Sequence, residues 1–332
     1  ISVSAQRRTH LKNIEIVENG KAAATLKITK SCADSLFTQF VTLTASGKSV
    51  NVFNEVDWRC LRTLLKLEFA FTAANKNALY DLGLGIIERP NNTKRRFEVP
   101  AQMWAAIQDK SGEYTAYVLS DSRIGWDKPD DNTLRLTCMH TPRHWYRKES
   151  AQHLLDFGIN RFSFSLGACR PDEIGEIQKN ALCFCSPLSA FSSSLHIGER
   201  EGFVSLISDL DEEVLLRALK KAHSSDEITV RFNEGCSRER EGISFALETP
   251  ILSAYEAYAS EEKISPAKVI DGKLVFSIGK FGVKTFILKT EQTQKKGEGV
   301  KSIKLPYNAD ILSENEKRKE VAELGGKTLP RE

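Results

Sequence analysis

The sequence predicts an all-β protein, because short segments with strand periodicity recur along it and turn-forming residues separate them. A clear example is Leu64–Phe71, in which Leu65, Leu67 and Phe69 fall on one face of a strand while Lys66 points away. A dense series of short strands without intervening helices is typical of β-sandwiches. We therefore predict two β-sandwich parts, a large one followed by a smaller one.

The first strand series predicts one large central β-sandwich domain over residues 1–198. Its predicted strands are, in order, Ala24–Lys30, Phe37–Leu43, Ser49–Asn54, Leu64–Phe71, Leu82–Ile87, Tyr114–Ser120, Thr133–His140 and Asn160–Leu166. Residues with turn propensity stand between them, as in Asp127–Asn132, where Pro, Asp and Asn follow one another. A polar connection, Gly167–Lys179, and a Ser-rich stretch, Ser186–Ser194, close the series.

A second β series predicts a smaller β-sandwich domain over residues 199–291. Its predicted strands are Phe203–Ser208, Ile228–Phe232, Ile243–Glu248, Lys273–Ile278 and Gly282–Lys289. The charged, Gly-containing stretch that follows has the composition of a linker. We therefore expect residues 292–332 to hold a linker and the start of a truncated further module.

Composition limits the classes of function. The 332 residues are 41% hydrophobic and 27% charged, which is typical of a soluble globular protein. The 47 basic and 44 acidic residues are mixed along the chain and leave a formal charge of only +3. Nucleic-acid binding would require a basic stripe, so we predict no nucleic-acid partner. No run of apolar residues is long enough to predict a membrane span.

The cysteines favour a reducing compartment. Seven cysteines form an odd number without the clustered spacing of a disulfide scaffold, so a cytoplasmic location is favoured. Cys183 and Cys185 are separated by one residue, which would place both thiols on one face of a strand. This spacing is too short for a zinc knuckle, and we predict no metal or redox site there.

Two further groups of residues have side chains that could carry chemistry. A cluster with metal-ligand chemistry consists of Cys138, His140, His144 and His153. The predicted strand and loop do not give these histidines helical i, i+4 geometry, so we favour scattered surface histidines over a metal site. Glu55 and Asp57 would project about 7 Å apart from one face of a strand, and we favour a structural role for them over a catalytic pair. No catalytic residue is therefore assigned to this chain.

Several motifs in fixed order carry a family resemblance. They are Val52–Trp58, Gly85–Pro90, Phe97–Trp104, Tyr114–Asp121, Gly125–Thr137, Asp156–Phe164 and Phe281–Phe286. Their order resembles the C-terminal β region of glycoside hydrolase family 38, the zinc-dependent α-mannosidases, and is most similar to the cytosolic and bacterial branch. This resemblance implies a galactose-mutarotase-like supersandwich followed by a smaller β-sandwich.

The resemblance also bears on one ambiguous segment. In Leu210–Ala222 the apolar residues have helical spacing, with acids at the front and lysines at the rear. The resemblance instead implies a strand over Val214–Lys220. We favour the strand, because pairing with neighbours overrides local propensity.

The reaction that the resemblance implies is hydrolysis of α-mannosides with retention, by two carboxylates about 5 Å apart beside a zinc ion. The family's nucleophile and zinc ligands lie in a catalytic domain that would precede residue 1, and none of them maps onto this chain. We therefore expect no cofactor here and zinc in the absent catalytic domain. The expected partners are that catalytic domain, mannose-containing glycans and a second copy in a homo-oligomer.

One position is a candidate for the rim of the substrate pocket. Trp104 ends the Phe97–Trp104 motif, and its aromatic face could cover the C–H groups of a sugar. The sequence departs from the family at Ala106, where an acid is usual, and at Asn160, where a His or Glu is usual. The alternative is that Trp104 lies in the core.

The function predicted for the chain is support of the catalytic domain and of the rim of its pocket, without catalysis by the chain itself. The alternatives are a free-standing carbohydrate-binding β-sandwich and a structural scaffold without sugar contact.

Overall fold

A computed structural model of the protein describes residues 9–141, 155–190, 192, 202–211 and 214–291. These residues all belong to one unit that ends at Glu291. They form three β-sheets and one α-helix, so the prediction of an all-β fold is confirmed. The boundary expected at residue 198 and the module expected over residues 292–332 lie outside the described residues and stay predictions.

Thirteen strands are described before the helix. They are β1 (His10–Asn19), β2 (Ala23–Cys32), β3 (Ser35–Thr44), β4 (Ser49–Trp58), β5 (Leu64–Ala70), β6 (Asn77–Asp81), β7 (Ile86–Pro90), β8 (Val99–Pro100), β9 (Trp104–Gln108), β10 (Thr115–Ser120), β11 (Gly125–Asp127), β12 (Thr133–His140) and β13 (Gly158–Cys169). Nine of them form a large antiparallel sheet in the order β1-β2-β3-β4-β13-β10-β9-β6-β7. The other four form a smaller sheet in the order β5-β12-β11-β8.

The small sheet packs on one face of the large sheet, here called the inner face. Buried side chains of β5, β11 and β12, among them Phe69, Trp126 and Leu136, meet those of β4, β10 and β13, such as Val56 and Phe162. Sheet-on-sheet packing of alternating side chains is the physical basis of a β-sandwich. The inner-face core draws no residue from β1 or β2, which lie beyond the small sheet.

The inner face continues without cover past the small sheet. Residues directly opposite each other in antiparallel strands share a face, and one such row runs Val52, Val41, Leu26, Ile16. Val52 is 5% exposed, whereas Leu26 is 39% and Ile16 is 68% exposed. We use the name open apolar face for these uncovered side chains, which lie on the inner face of β1–β3 beyond the small sheet. Ile14, which is 52% exposed, belongs to this face as well.

The opposite, outer face of the large sheet carries the helix α1 (Ile174–Cys185), which begins after a 3-10 turn, Pro171–Glu173. Ile177 and Ala181 of α1 are fully buried against the outer face. The sequence predicted a polar connection and a strand in this region, and both predictions are wrong. The apolar residues Ile174, Ile177 and Ala181 recur at helical spacing. This spacing crosses the end of the predicted polar connection at Lys179, so neither predicted segment contains all of it.

Eight further strands follow the helix. They are β14 (Ile207–Leu210), β15 (Val214–Lys221), β16 (Ile228–Glu234), β17 (Arg240–Leu247), β18 (Ile251–Ala257), β19 (Lys263–Ile270), β20 (Lys273–Ile278) and β21 (Val283–Thr290). They form one sheet in the order β14-β17-β20-β19-β18-β21-β16-β15. Its core centres on Phe232, whose ring lies 5.0 Å from that of Phe245 and 4.9 Å from that of Phe276. This second β region matches the predicted smaller sandwich.

Two local predictions have opposite outcomes. Val214–Lys221 is a strand, as favoured, because β15 pairs antiparallel with β16 over its whole length. The strand predicted over Leu82–Ile87 is wrong, because its first half forms the turn between β6 and β7. Gly83 in that turn has a φ of +85°, a backbone conformation that residues with a Cβ atom rarely adopt.

Candidate functional site

Trp104, the predicted rim residue, lies on the outer face of the large sheet beneath α1. Its side chain is 0% exposed and packs with Ala106, Tyr117 and Ile177. The indole Nε1–H donates a hydrogen bond of 2.7 Å to Oε1 of Gln178 in α1. A fully buried ring offers no surface to a sugar, so this geometry favours the core interpretation of Trp104. Ala106, the departure from the family pattern, has a small side chain that lets the helix approach the sheet.

Two clefts flank the helix. The first, here called the helix–turn cleft, lies between α1 and the turn joining β3 to β4, and has a volume of about 480 Å³. The second, here called the junction cleft, lies between the start of α1 and the second β region, and has a volume of about 400 Å³. Both volumes fall within the range typical of small-ligand sites.

The helix–turn cleft is floored by the outer face of the large sheet. Its lining residues include Ser46, Lys48, Ser49, Asn51, Tyr117, Ser165, Glu173, Glu176, Asn180 and Phe184. Hydroxyl and amide groups predominate in this lining. By contrast, charged side chains predominate in the junction cleft, which is lined by Glu88, Asp172, Glu173, Glu176, Lys179, Arg238 and Lys280 beside the ring of Phe281.

Polar groups join the two β regions next to the junction cleft. Arg217 of β15 donates a hydrogen bond of 2.5 Å to the carbonyl oxygen of Gly83 in the β6–β7 turn. Burial lowers the pKa of Arg217, while the nearby Asp81 carboxylate acts in the opposite direction. Burial raises the pKa of Asp81, although backbone N–H groups of Gly83 and Met103 donate to its carboxylate and partly offset that effect. This buried charge arrangement was not predicted from the sequence.

The predicted ligand-like cluster does not assemble in the described residues. Cys138 is buried, and burial raises the pKa of its thiol to about 12. His140 is exposed at the end of β12, where its backbone N–H donates to Asp156. His144 and His153 lie outside the described residues. Within the described part of the chain, no group of three or more His, Cys, Asp or Glu side chains is arranged to hold a metal ion.

The carboxylates of β4 are each bound by an arginine. Glu55 accepts a hydrogen bond of 2.8 Å from Nε of Arg161, and Asp57 lies 2.6 Å from Nε of Arg59. All four side chains are substantially exposed. Carboxylates paired in this way on a solvated strand are typical of surface ion pairs, and their structural role stays a prediction.

All seven cysteines lie in the described residues, and none of them forms a disulfide bond. Cys183 and Cys185 belong to α1 and not to a strand, so they point in different directions; Cys183 is exposed and Cys185 is partly buried.

The segment Asp127–Asn132, for which the sequence predicts a polar turn, contains a network of buried charged groups. Lys128 is 1% exposed, and its ammonium group donates to the carbonyl oxygens of Asn75 and Asp130 and to Oδ1 of Asn91. The neighbouring Asp127 accepts two hydrogen bonds from Arg135.

The described residues contain no helix that is both long enough and apolar enough to cross a bilayer.

Comparison with known proteins identifies two family models in the chain. The model described as "Glycosyl hydrolases family 38 C-terminal domain" matches residues 2–144, and "Glycosyl hydrolases family 38 C-terminal beta sandwich domain" matches residues 213–286. Together they cover more than half of the 332 residues. A curated relative, "Alpha-mannosidase G" of Dictyostelium discoideum, is 23% identical over 291 residues. That match covers 82% of this chain and 26% of the relative.

Two solved structures from Enterococcus faecalis have a similar fold. A protein of glycosyl hydrolase family 38 aligns with a TM-score of 0.72 and an α-mannosidase with a TM-score of 0.69. Each is 14% identical and covers 85% of this chain. The chain spans 37% and 35% of those structures and about a quarter of the curated relative.

Proposed function

Because the chain belongs to glycoside hydrolase family 38 and carries the family's C-terminal β domains, we propose that it is the non-catalytic β part of an α-mannosidase. In this role it supports a catalytic domain and completes the surroundings of its substrate pocket. The whole enzyme would hydrolyse α-mannosides in glycans with retention of configuration. The relatives named above support the substrate class, since two of the three are named as α-mannosidases.

The open apolar face is the observation that supports the proposed supporting role of the chain. The row from Val52 to Ile16 begins inside the sandwich core and ends at a side chain that is 68% exposed. Exposed apolar surface of this kind marks an interaction site on a soluble protein. The solved relatives carry more than half of their length outside the matched part, so further polypeptide exists in the family to cover such a face. We assign the catalytic domain as its occupant.

Zinc does not fit the described donor set. The Cys138 thiol is buried and protonated, and the ring of His140 projects from an exposed strand end. We therefore propose that the described residues hold no zinc and that the family's zinc site lies in the catalytic domain.

The test is to clone the gene with the sequence upstream of Ile1 and to assay the longest reading frame with p-nitrophenyl α-mannoside. We expect an upstream catalytic domain, zinc-dependent turnover by the whole product, and no turnover by residues 1–332 alone. Turnover by the purified chain would refute the proposal. A start codon close to Ile1 would refute it too, in favour of a free-standing carbohydrate-binding sandwich or a scaffold.

The docking surface has a separate test in the whole product. Ile16→Lys combined with Leu26→Lys should loosen the catalytic domain and increase its sensitivity to protease, because two charges would enter an apolar contact. Ile264→Lys is the matched control, since Ile264 is 50% exposed on β19 of the second β region. Equal protease sensitivity of the two variants would show that the open apolar face is not the docking surface.

A further inference from the structure

We propose that the helix–turn cleft binds a neutral saccharide of one or two rings. The proposal concerns a binding site and no catalysis. It holds whether the chain acts alone or within a larger enzyme, because it rests on the shape and the chemistry of the cleft.

The floor of the cleft is built to be open and rigid. It is formed by paired strands, with Asn51 of β4 directly opposite Ser165 of β13, and Gly167 of β13 opposite Tyr117 of β10. A Cβ atom at Gly167 would lie 2.3 Å from Oη of Tyr117, so only glycine lets the phenol lie across the strand there. Sites built on paired strands hold their polar groups more firmly than sites built on loops.

The polar groups of the lining can both donate and accept. Ser46, Ser49 and Asn51 are hydroxyl and amide side chains, and none of the three hydrogen-bonds through its side chain to another described residue. Asn180 of α1 is exposed and faces Tyr117, whose hydroxyl it hydrogen-bonds. Each sugar hydroxyl also donates and accepts, so this set matches a polyhydroxylated ligand.

The charge of the lining favours a neutral ligand over an anion. Glu173 is paired with Arg170 at 3.0 Å, and Glu176 with Lys179 at 3.3 Å. Lys48 is the remaining charged side chain of the lining, at the exposed turn. A phosphate or polyanion site would instead gather several cations or a bidentate arginine.

The cleft also supplies an apolar surface. The ring of Phe184 at the end of α1 is partly exposed, and Leu119 and Ala168 add aliphatic contact. Sugar rings have apolar C–H faces beside their hydroxyl groups, and they bind where an aromatic ring and hydrogen-bonding side chains converge.

The experiment is isothermal titration calorimetry of the 332-residue chain with α1,2-mannobiose, maltose, cellobiose and lactose, and with inorganic phosphate. We expect saturable binding of at least one disaccharide and none of phosphate. Asn51→Ala and Asn180→Ala should each weaken that binding about three- to tenfold, the effect of one lost hydrogen bond. Ser237→Ala, in the junction cleft, is the matched control and should leave the affinity unchanged.

Three results would overturn the proposal. One is no saturable binding of any of the four disaccharides, and another is binding of phosphate alone. The third is disaccharide binding that Asn51→Ala and Asn180→Ala leave unchanged, which would place the site elsewhere. The Tm of each variant distinguishes a lost contact from a lost fold, and two independent substitutions keep the test valid if one of them unfolds the chain.

Discussion

Replacing Trp104 distinguishes a core residue from a pocket-rim residue. The Trp104→Ala variant removes a side chain that is 0% exposed and that packs with Ala106, Tyr117 and Ile177, all at most 1% exposed. Truncating a buried tryptophan costs about 3–5 kcal/mol, because transfer free energy is lost and a cavity remains. The lost indole hydrogen bond to Gln178 adds about 1 kcal/mol. We therefore expect the free energy of unfolding to fall by about 4 kcal/mol or more.

The assay is urea unfolding followed by far-UV circular dichroism, since removing a tryptophan alters the fluorescence signal. Phe97→Ala is the control, because Phe97 is 62% exposed and should lose less than about 0.5 kcal/mol. A Trp104→Ala variant that lost less than about 1 kcal/mol would refute the core assignment. The rim interpretation predicts that small loss together with weaker sugar binding.

Three further outcomes follow from buried or paired groups. Lys128→Met should lower the free energy of unfolding by about 3–5 kcal/mol in urea, because three acceptors of a buried ammonium lose their donor. Iodoacetamide at about pH 8 should alkylate Cys183 and spare Cys138, whose pKa burial raises to about 12, as peptide mass spectrometry would show. The ammonium group of Lys263 donates hydrogen bonds to the carboxylate of Glu227 and lowers the pKa of that carboxyl below its ordinary 4.5. The stabilisation by this pair is therefore present above pH 4.5 and is lost as the pH falls through the lowered pKa. The urea midpoint, measured from about pH 6 to pH 3, should fall accordingly.

Each of these outcomes has a control that can contradict it. Lys110→Met should be neutral, because Lys110 is exposed; an equal loss in both lysine variants would contradict the buried network. Alkylation of Cys138 in the folded protein at the rate seen in urea would contradict its burial. Glu227→Gln should flatten the acid limb of the stability curve, and an unchanged limb would show that the pair contributes nothing measurable.

Strand periodicity predicted the layers of the fold well where one face of a strand is buried. β4 alternates buried and more exposed side chains because the small sheet covers only the inner face of the large sheet, and β5 buries Phe69 because one face of the small sheet meets that inner face. β1 is not among the predicted strands, although Ile14 and Ile16 alternate with Glu15 in its sequence and give a short strand signal.

The features that matter for the candidate sites depend on contacts distant in sequence. Lys128 meets Asn75 across 53 positions, and Trp104 meets Gln178 across 74. Sequence spacing does not report such pairs, so the sequence predicts a polar turn at Lys128 and leaves Trp104 as a candidate for either the pocket rim or the core. The helix over Trp104 is not predicted, because its residues begin inside the polar connection Gly167–Lys179 and continue into the residues that precede the Ser-rich stretch.

The helix α1 explains how two separately matched regions form one unit. It lies between residues 144 and 213, outside both family models, yet it packs on the outer face of the first β region and reaches the second. A Cβ at Gly175 of α1 would lie 2.3 Å from Sγ of Cys236 in the second β region. Gly175 therefore allows close approach on this side, while Arg217 donates a hydrogen bond to the β6–β7 turn on the other. Contacts on both sides therefore join the two β regions within the single unit that ends at Glu291.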